Sequence, residues 1–199
     1  ATLIGGRTIH SWGGLGISTT PFDRSNIDRA MLSKAKIFKT TDVLIIDEIS
    51  MLPAYLFEKL DLAMRHFRRS DKPFGGVQLV LMGDFLQLPP VDKKEPGVNA
   101  GFVVTSPVWK ELELSFCYMD KTHRATDERL KSVLSKMSRD KVDDEVRNFV
   151  DSRTAVKPDS GKTYTTLFTT NSNVDSYNVA ELAKNPNPSI YSNLKVLYG

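Results

Sequence analysis

With one cysteine, Cys117, in 199 residues, the chain has no internal disulfide to staple it, which suits a reducing compartment. Zinc spacing is absent as well, because His66 and His123 stand among charged neighbours without a second His or Cys at ligand distance. There is no apolar run long enough to cross a membrane, and the residues from Ala1 onward are not expected to act as a signal peptide. An excess of one charge is also missing: 27 Lys and Arg face 24 Asp and Glu, a formal net charge of +3. That excludes a dominant basic field of the kind that drives unspecific duplex binding, so any nucleic-acid groove must be local. Repeats and low-complexity tracts are lacking. What remains is an ordinary globular composition, 40% apolar and 26% charged, long enough for one large core or one and a half domains.

Two stretches carry the chemistry: Val43-Leu-Ile-Ile-Asp-Glu-Ile-Ser-Met51 and Leu79-Val-Leu-Met-Gly-Asp-Phe-Leu-Gln-Leu-Pro-Pro-Val91. The first predicts a central parallel strand, buried on both faces, that delivers Asp47 and Glu48 at its carboxyl end. The second repeats the shape, an apolar run that ends in Gly83-Asp84 and then Gln87. Between them Leu56, Leu60, Met64 and Phe67 recur at helical spacing, and Pro53 suits a first helical turn. A strand, helix and strand in this order form a crossover that sets both strand ends on one edge of a parallel sheet, where open α/β sheets bind ligands. Asp47, Glu48, Asp84 and Gln87 are therefore expected to converge.

Magnesium takes oxygen ligands and keeps several waters, so one carboxylate together with nucleotide phosphates is a typical arrangement, and a neighbouring acid can polarise an attacking water. Asp47 is assigned to the metal and Glu48 to the water. An amide such as Gln87 both donates and accepts, which fits it to touch a γ-phosphate and report its loss. The bland alternative, a buried strand capped by acids that bond nearby backbone, fits the first string alone; the second string at crossover distance argues against it.

Taken together, Ile45-Ile-Asp-Glu-Ile-Ser-Met51 and Gly83-Asp-Phe-Leu-Gln-Leu-Pro-Pro-Val91 resemble motifs II and III of the Pif-type (petite integration frequency) DNA helicases, relatives of RecD and Dda in superfamily 1B. Ile4-Gly-Gly-Arg-Thr-Ile-His-Ser-Trp12 with Gly14-Leu-Gly-Ile17 resembles the end of motif Ia. Phe102, Ser106 and Trp109 match a spaced pattern after motif III, and Thr122-His-Arg-Ala125 resembles motif IV, with Ala125 where the family usually has Gln. Leu167-Phe-Thr-Thr-Asn171, with Val174 and Asn178, is similar to the start of the second RecA-like domain. The resemblance implies an α/β, RecA-like P-loop NTPase fold, a mostly parallel sheet flanked by helices with a small inserted subdomain. It implies an ATP-dependent 5′-to-3′ DNA helicase that works on single-stranded and forked duplex DNA in repair, recombination, replication or telomere maintenance. ATP with Mg2+ is the implied nucleotide, and a monomer the implied state. The implied location is the nucleus or mitochondrion in a eukaryote and the cytoplasm otherwise.

By the same resemblance Arg124 reaches the γ-phosphate. A planar guanidinium suits that task because it stays charged and donates in parallel; the competing reading is a surface cap of the helix that carries Leu130, Val133, Leu134 and Met137. His10, Ser11 and Trp12 offer an imidazole, a hydroxyl and an indole beside a Gly-rich loop, which fits backbone contact and base stacking on a single strand, although an aromatic beside Gly is also commonly core. The run Arg65-His-Phe-Arg-Arg69 is expected to complement a helix dipole.

The resemblance further implies a phosphate-binding loop upstream of Ala1, so the sequence is expected to be a fragment that is inactive alone. Gly161-Lys-Thr163 does not replace that loop: Val156 stands where a Gly is needed, and a predicted strand at 164–168 follows instead of a helix. Predicted organisation is a strand and loop at 1–10, an inserted subdomain at about 11–36, and elements at 43–46 (strand), 54–69 (helix) and 78–82 (strand). A helical turn at 107–112, a strand at 114–119, and helices at 127–137 and 143–150 follow. Domain bounds are expected at 1–155 and 164–199, joined by a linker at 156–163. Two other functions fit the residues less fully: an inactive DNA-binding or scaffold relative, and a different P-loop ATPase such as a loader or metabolic kinase.

Overall fold

The computed structural model describes residues 4–16, 27, 29–91, 98, 100–121, 123, 125–154, 156 and 164–187. The chain divides into two compact units, Ala1–Arg124 and Ala125–Gly199.

In the first unit, Thr8 opens helix α1 (Ile9–Gly13), its hydroxyl accepting from Ser11 N at 3.3 Å. Residues 4–8 of the predicted strand and loop form no strand, residues 1–3 lie outside the described residues, and the helix starts where a Thr hydroxyl satisfies an N–H that the first turn leaves unpaired. Gly14 ends α1 at φ 60°, and a Cβ there would lie 2.6 Å from Ala30 O. Only glycine lets this turn sit against helix α2 (Arg29–Leu32). Helix α3 (Ala35–Thr40) then leads to strand β1 (Val43–Ile46). The described parts of the predicted insertion feed the main core, where Leu15 and Met31 are fully buried; the remainder, 17–26 and 28, lies outside the described residues.

Helix α4 (Ala54–Arg68) joins β1 to strand β2 (Gln78–Leu81). Pro53 is its cap rather than its first residue, with extended backbone at φ −72°, ψ 150°. Leu56, Leu60, Met64 and Phe67 are buried as their spacing predicts, each contributing roughly 1.5–3 kcal/mol by leaving water. Phe38 of α3 stacks on Phe67 at 5.3 Å, and Phe57 meets Phe74 at 4.8 Å. β1 and β2 pair in parallel, Val43 opposite Gln78 through Ile46 opposite Leu81.

Burial on β1 alternates, contrary to the expectation of a strand covered on both faces. Leu44 and Ile46 face the core, whereas Val43 and Ile45 are exposed. Helices α3 and α4 pack on one side, and no described element covers the other, so the period-2 geometry of the strand shows through its uniformly apolar sequence. The predicted strands at 114–119 and 164–168 are not strands. Their residues have the right apolar character, but a strand is defined by ladder hydrogen bonds, and neither segment has a partner strand among the described residues. Phe116, Tyr118 and Met119 are accordingly exposed. Helix α5 (Pro107–Glu111) starts from Ser106, whose Oγ accepts from Val108 N.

Arg65 and Arg68 do more than balance a helix dipole. Arg68 donates to the carbonyls of Phe38, Thr41 and Gly75, tying α4 to the approaches of both strands. Arg65 bonds Asp61, Glu111 and Asp71 O. Asp61, 1% exposed, also accepts from Phe74 N at 2.6 Å.

In the second unit Asp127 caps helix α6 (Glu128–Met137) through Arg129 N and Leu130 N. Helix α7 (Asp144–Thr154) packs on it through Val133, Val146 and Phe149, and Lys136 bridges to Asp143 and Glu145. Compactness groups α6 and α7 with Ala125–Gly199, a division distinct from the motor-domain bound expected at 155. Helix α8 (Asn171–Leu182), capped by Thr170, has no buried residue. Of the expected linker only Val156 is described, and it is exposed.

Burial pushes the Asp61 carboxyl above its ordinary value, while Arg65 and the Phe74 N–H pull it down. A raised value means that the folded state takes up this proton first. Asp61 therefore supports folding most below its unfolded value, and that contribution is lost as pH rises through the folded one. Replacing Asp61 with Ala is expected to cost about 3 kcal/mol in urea denaturation at neutral pH, because a buried N–H and a guanidinium lose their shared acceptor. The stability of the wild type relative to Asp61→Asn is expected to fall as pH is raised from about 4 towards neutrality.

Candidate active site at the carboxyl edge of the sheet

Parallel pairing puts the carboxyl ends of β1 and β2 side by side, and the ladder continues past both strands. Met82 N donates to Ile46 O, and Ile49 N donates back to Met82 O, each at 2.9 Å. The chain leaving β1 is thereby pinned to the chain leaving β2. Between those bonds lie Asp47 and Glu48, both exposed. Asp47 Oδ1 accepts from Glu48 N at 3.0 Å. Glu48 has φ 53°, ψ 44°, a left-handed conformation uncommon for a residue with a side chain and typical of sites where surrounding structure imposes it. What imposes it here is the next turn, a 3-10 helix at Ile49–Met51 that buries Ile49 and Ser50.

Gly83 fits beneath that turn. A Cβ on it would lie 2.9 Å from Ile49 Cγ2, 3.0 Å from Ile49 N and 3.2 Å from Ser50 N. The two strand ends approach this closely because residue 83 has no side chain. Beyond it Asp84 organises the loop: Oδ1 accepts from Leu86 N at 2.9 Å and Oδ2 from the Gln87 amide at 3.1 Å. Asp47, Glu48, Asp84 and Gln87 thus stand on one edge, as their strings predict.

Phe102 and Trp109 gain a physical role that their spacing alone did not reveal. Phe85 sits edge-on to both, at 5.6 and 6.2 Å between ring centroids, and Trp109 leans on Phe57 of α4. Phe102 is bridged to Pro53, and Ala54 N donates to Gly101 O. The loop carrying Gln87 is therefore held from below by an aromatic clamp rooted in the core, each such ring pair adding about 0.5–1.5 kcal/mol beyond burial. The aromatic content of 85, 102 and 109 was the available signal. Leu86, Leu88 and Val91 on the outer side of the loop are exposed.

Three further expected residues, His10, Ser11 and Trp12, lie on α1. His10 and Ser11 are exposed on α1, and no hydrogen bond among the described residues joins them to the acid-bearing edge. Trp12 packs edge-on to Phe38 at 5.5 Å, against the core. Arg124 and Thr122 lie outside the described residues. A cavity of about 380 Å³ lined by Lys39, Arg65, His66, Arg69, Ser70 and Asp71 opens at the opposite edge, where α4 ends.

Among the described residues no three His, Cys, Asp or Glu side chains gather as a metal cage. A sparse set of exposed carboxylate oxygens fits magnesium, which prefers to share its shell with phosphate oxygens and water, and does not fit zinc, which takes His and Cys ligands.

An acid pair and an amide on adjoining parallel strand ends suit a nucleotide-hydrolysing α/β fold, and comparison with known proteins identifies the family. Residues 1–157 match the PIF1-like helicase family, and the chain belongs to that family. The ATP-dependent DNA helicase Pif1 of Psychrobacter sp. (strain PRwf-1) is 42% identical over 126 residues, covering 62% of this chain and 19% of that protein. The ATP-dependent DNA helicase PIF1 of Saccharomyces cerevisiae (strain YJM789) is 34% identical over 189 residues, 94% of this chain and 22% of that protein. A crystal structure of Pif1 helicase from Bacteroides in complex with ADP-AlF3 and ssDNA matches with a TM-score of 0.75 at 25% identity, over 92% of this chain and 45% of that one. Pif1 helicase from Candida albicans matches at 0.69 and 31%, over 93% and 42%. The fold is the RecA-like α/β fold of these helicases. The chain spans about a fifth of the length of these curated relatives.

Gly83→Ala is expected to force the Ile49–Met51 turn away from β2, lowering stability by about 1–3 kcal/mol, the range for overpacking a tight contact. A thermal melt of the protein checks it; an unchanged transition would show that the strand ends have slack.

Proposed function

We propose that the whole protein is an ATP-dependent DNA helicase, and that the edge formed by β1 and β2 is where it binds and hydrolyses ATP. The observation that carries this is the pinning of Asp47-Glu48 against the Gly83–Gln87 loop, in a chain of the PIF1-like helicase family. Support comes from the Bacteroides Pif1 structure with ADP-AlF3 and ssDNA, which this chain matches in fold.

In this reading residues 1–155 belong to the first RecA-like motor domain and 164–199 begin the second. Asp47 is the residue that would hold Mg2+. When bound, the ion neutralises charge on the β- and γ-phosphates. Glu48, raised to the rim by its left-handed backbone, accepts a proton from the water that attacks the γ-phosphorus. Gln87 donates its amide N–H to the γ-phosphate. Asp84 holds Gln87 ready for that task, so loss of the phosphate is felt by the whole loop. Arg124 supplies a second positive charge to the phosphate at closure. His10 and Ser11, exposed on α1, contact the backbone of single-stranded DNA.

Glu48→Gln in the full-length protein is expected to leave ATP binding intact and to lower DNA-stimulated hydrolysis by about 10²- to 10⁴-fold, the usual contribution of a general base. Single-turnover hydrolysis with and without single-stranded DNA measures this, and full turnover by that variant would remove Glu48 from the reaction. Asp47→Ala is expected to abolish the magnesium dependence of nucleotide affinity, read by titrating a fluorescent ATP analogue with and without Mg2+.

A further inference from the structure

Ser50 is the second residue of the 3-10 turn that follows Glu48, and it is fully buried. Its Oγ has no hydrogen-bond partner among the described residues. Buried hydroxyls are nearly always paired, and an unpaired one costs about 1–3 kcal/mol. Alanine would fill nearly the same space without that cost. The surroundings of this serine explain what the hydroxyl is suited to do. Its turn is fastened to the end of β2 by the bond from Ile49 N to Met82 O. Its own backbone N lies 3.2 Å from where a Gly83 Cβ would stand. Ser50 therefore sits in the buried turn that follows the acid pair, with its backbone close against Gly83, where the segment that carries Gln87 begins.

A hydrogen bond that is absent in one arrangement and present in another stabilises only the second. We propose that Ser50 is a positioning residue for ATP turnover. Its hydroxyl bonds to the 83–87 segment when that segment moves to engage the γ-phosphate, so the bond supports the working arrangement of the loop and not the resting one. The inference rests on the reading of this edge as an ATP site, and adds that the coupling between the two strand ends runs through a buried hydroxyl.

The test uses Ser50→Ala and Ser50→Cys in the full-length protein. For Ser50→Ala the expected result is a melting temperature without nucleotide equal to or above that of the wild type, because no resting-state bond is lost. DNA-stimulated kcat is expected to fall about tenfold, the size of one hydrogen bond made only in the transition state, with KM for ATP nearly unchanged. The thermal shift caused by ADP with aluminium fluoride is expected to shrink while that caused by ADP alone persists. Ser50→Cys, isosteric with a weaker donor, is expected to fall between. Wild-type kcat and a full aluminium fluoride shift in Ser50→Ala would overturn the proposal and leave Ser50 as a space filler. A fall of several degrees in the nucleotide-free melting temperature would overturn it differently, by showing a bond already made at rest. If the wild type itself gives neither DNA-stimulated hydrolysis nor a shift with ADP and aluminium fluoride, the ATP reading fails and the role of Ser50 with it.

Discussion

The parallel ladder between β1 and β2, extended one step beyond the strands by Ile49 N and Met82 O, is the constraint on which the rest of this structure depends. It sets where Asp47 and Glu48 leave the sheet and how near the Gly83–Gln87 loop can come. Backbone hydrogen bonds at a parallel edge are positioned by register, and a shift of one residue would send each side chain to the other face. Placement of acidic groups on this edge therefore follows from main-chain geometry more than from their own interactions. The exposure of Asp47 and Glu48 fits that view, since neither carboxylate has an ion pair among the described residues.

Helix α4 supplies the rigidity behind the ladder. Its apolar face fills the core beneath the sheet, and its last turn ties both strand approaches together through Arg65 and Arg68. Buried Asp61 is the hub of that tie, and it pays in desolvation for holding Arg65 and the turn at Phe74. The arrangement separates two tasks along one helix. One end meets the aromatic clamp that supports the Gln87 loop, and the other locks the opposite sheet edge.

Much of this was legible in the chain itself. The apolar run 43–46 and the spacing of Leu56, Leu60, Met64 and Phe67 announce a strand and a helix because both are local periodicities. Acidic residues right after an apolar run then locate the site. The segments 114–119 and 164–168 have strand-like residues and are not strands, because composition states only what a segment could pair with, and pairing needs a neighbour. Trp12 shows another limit: spacing marks its indole as a candidate for base stacking, and only the fold shows that it is partly buried and packs edge-on against Phe38 of a separate helix.

From residues alone follow the strand-helix-strand order, the acid pair, the Gln-bearing loop and the resemblance to Pif-type helicases, since these are properties of spacing and side-chain chemistry along one line. Only the tertiary structure decided that Val43 and Ile45 of β1 are exposed while Leu44 and Ile46 are buried, that Glu48 adopts a left-handed backbone, that Gly83 is required by contact, and that the buried Ser50 hydroxyl has no partner among the described residues. Each of these depends on which segments, distant in sequence, come within van der Waals range of one another, and distance through space is not written in the order of residues.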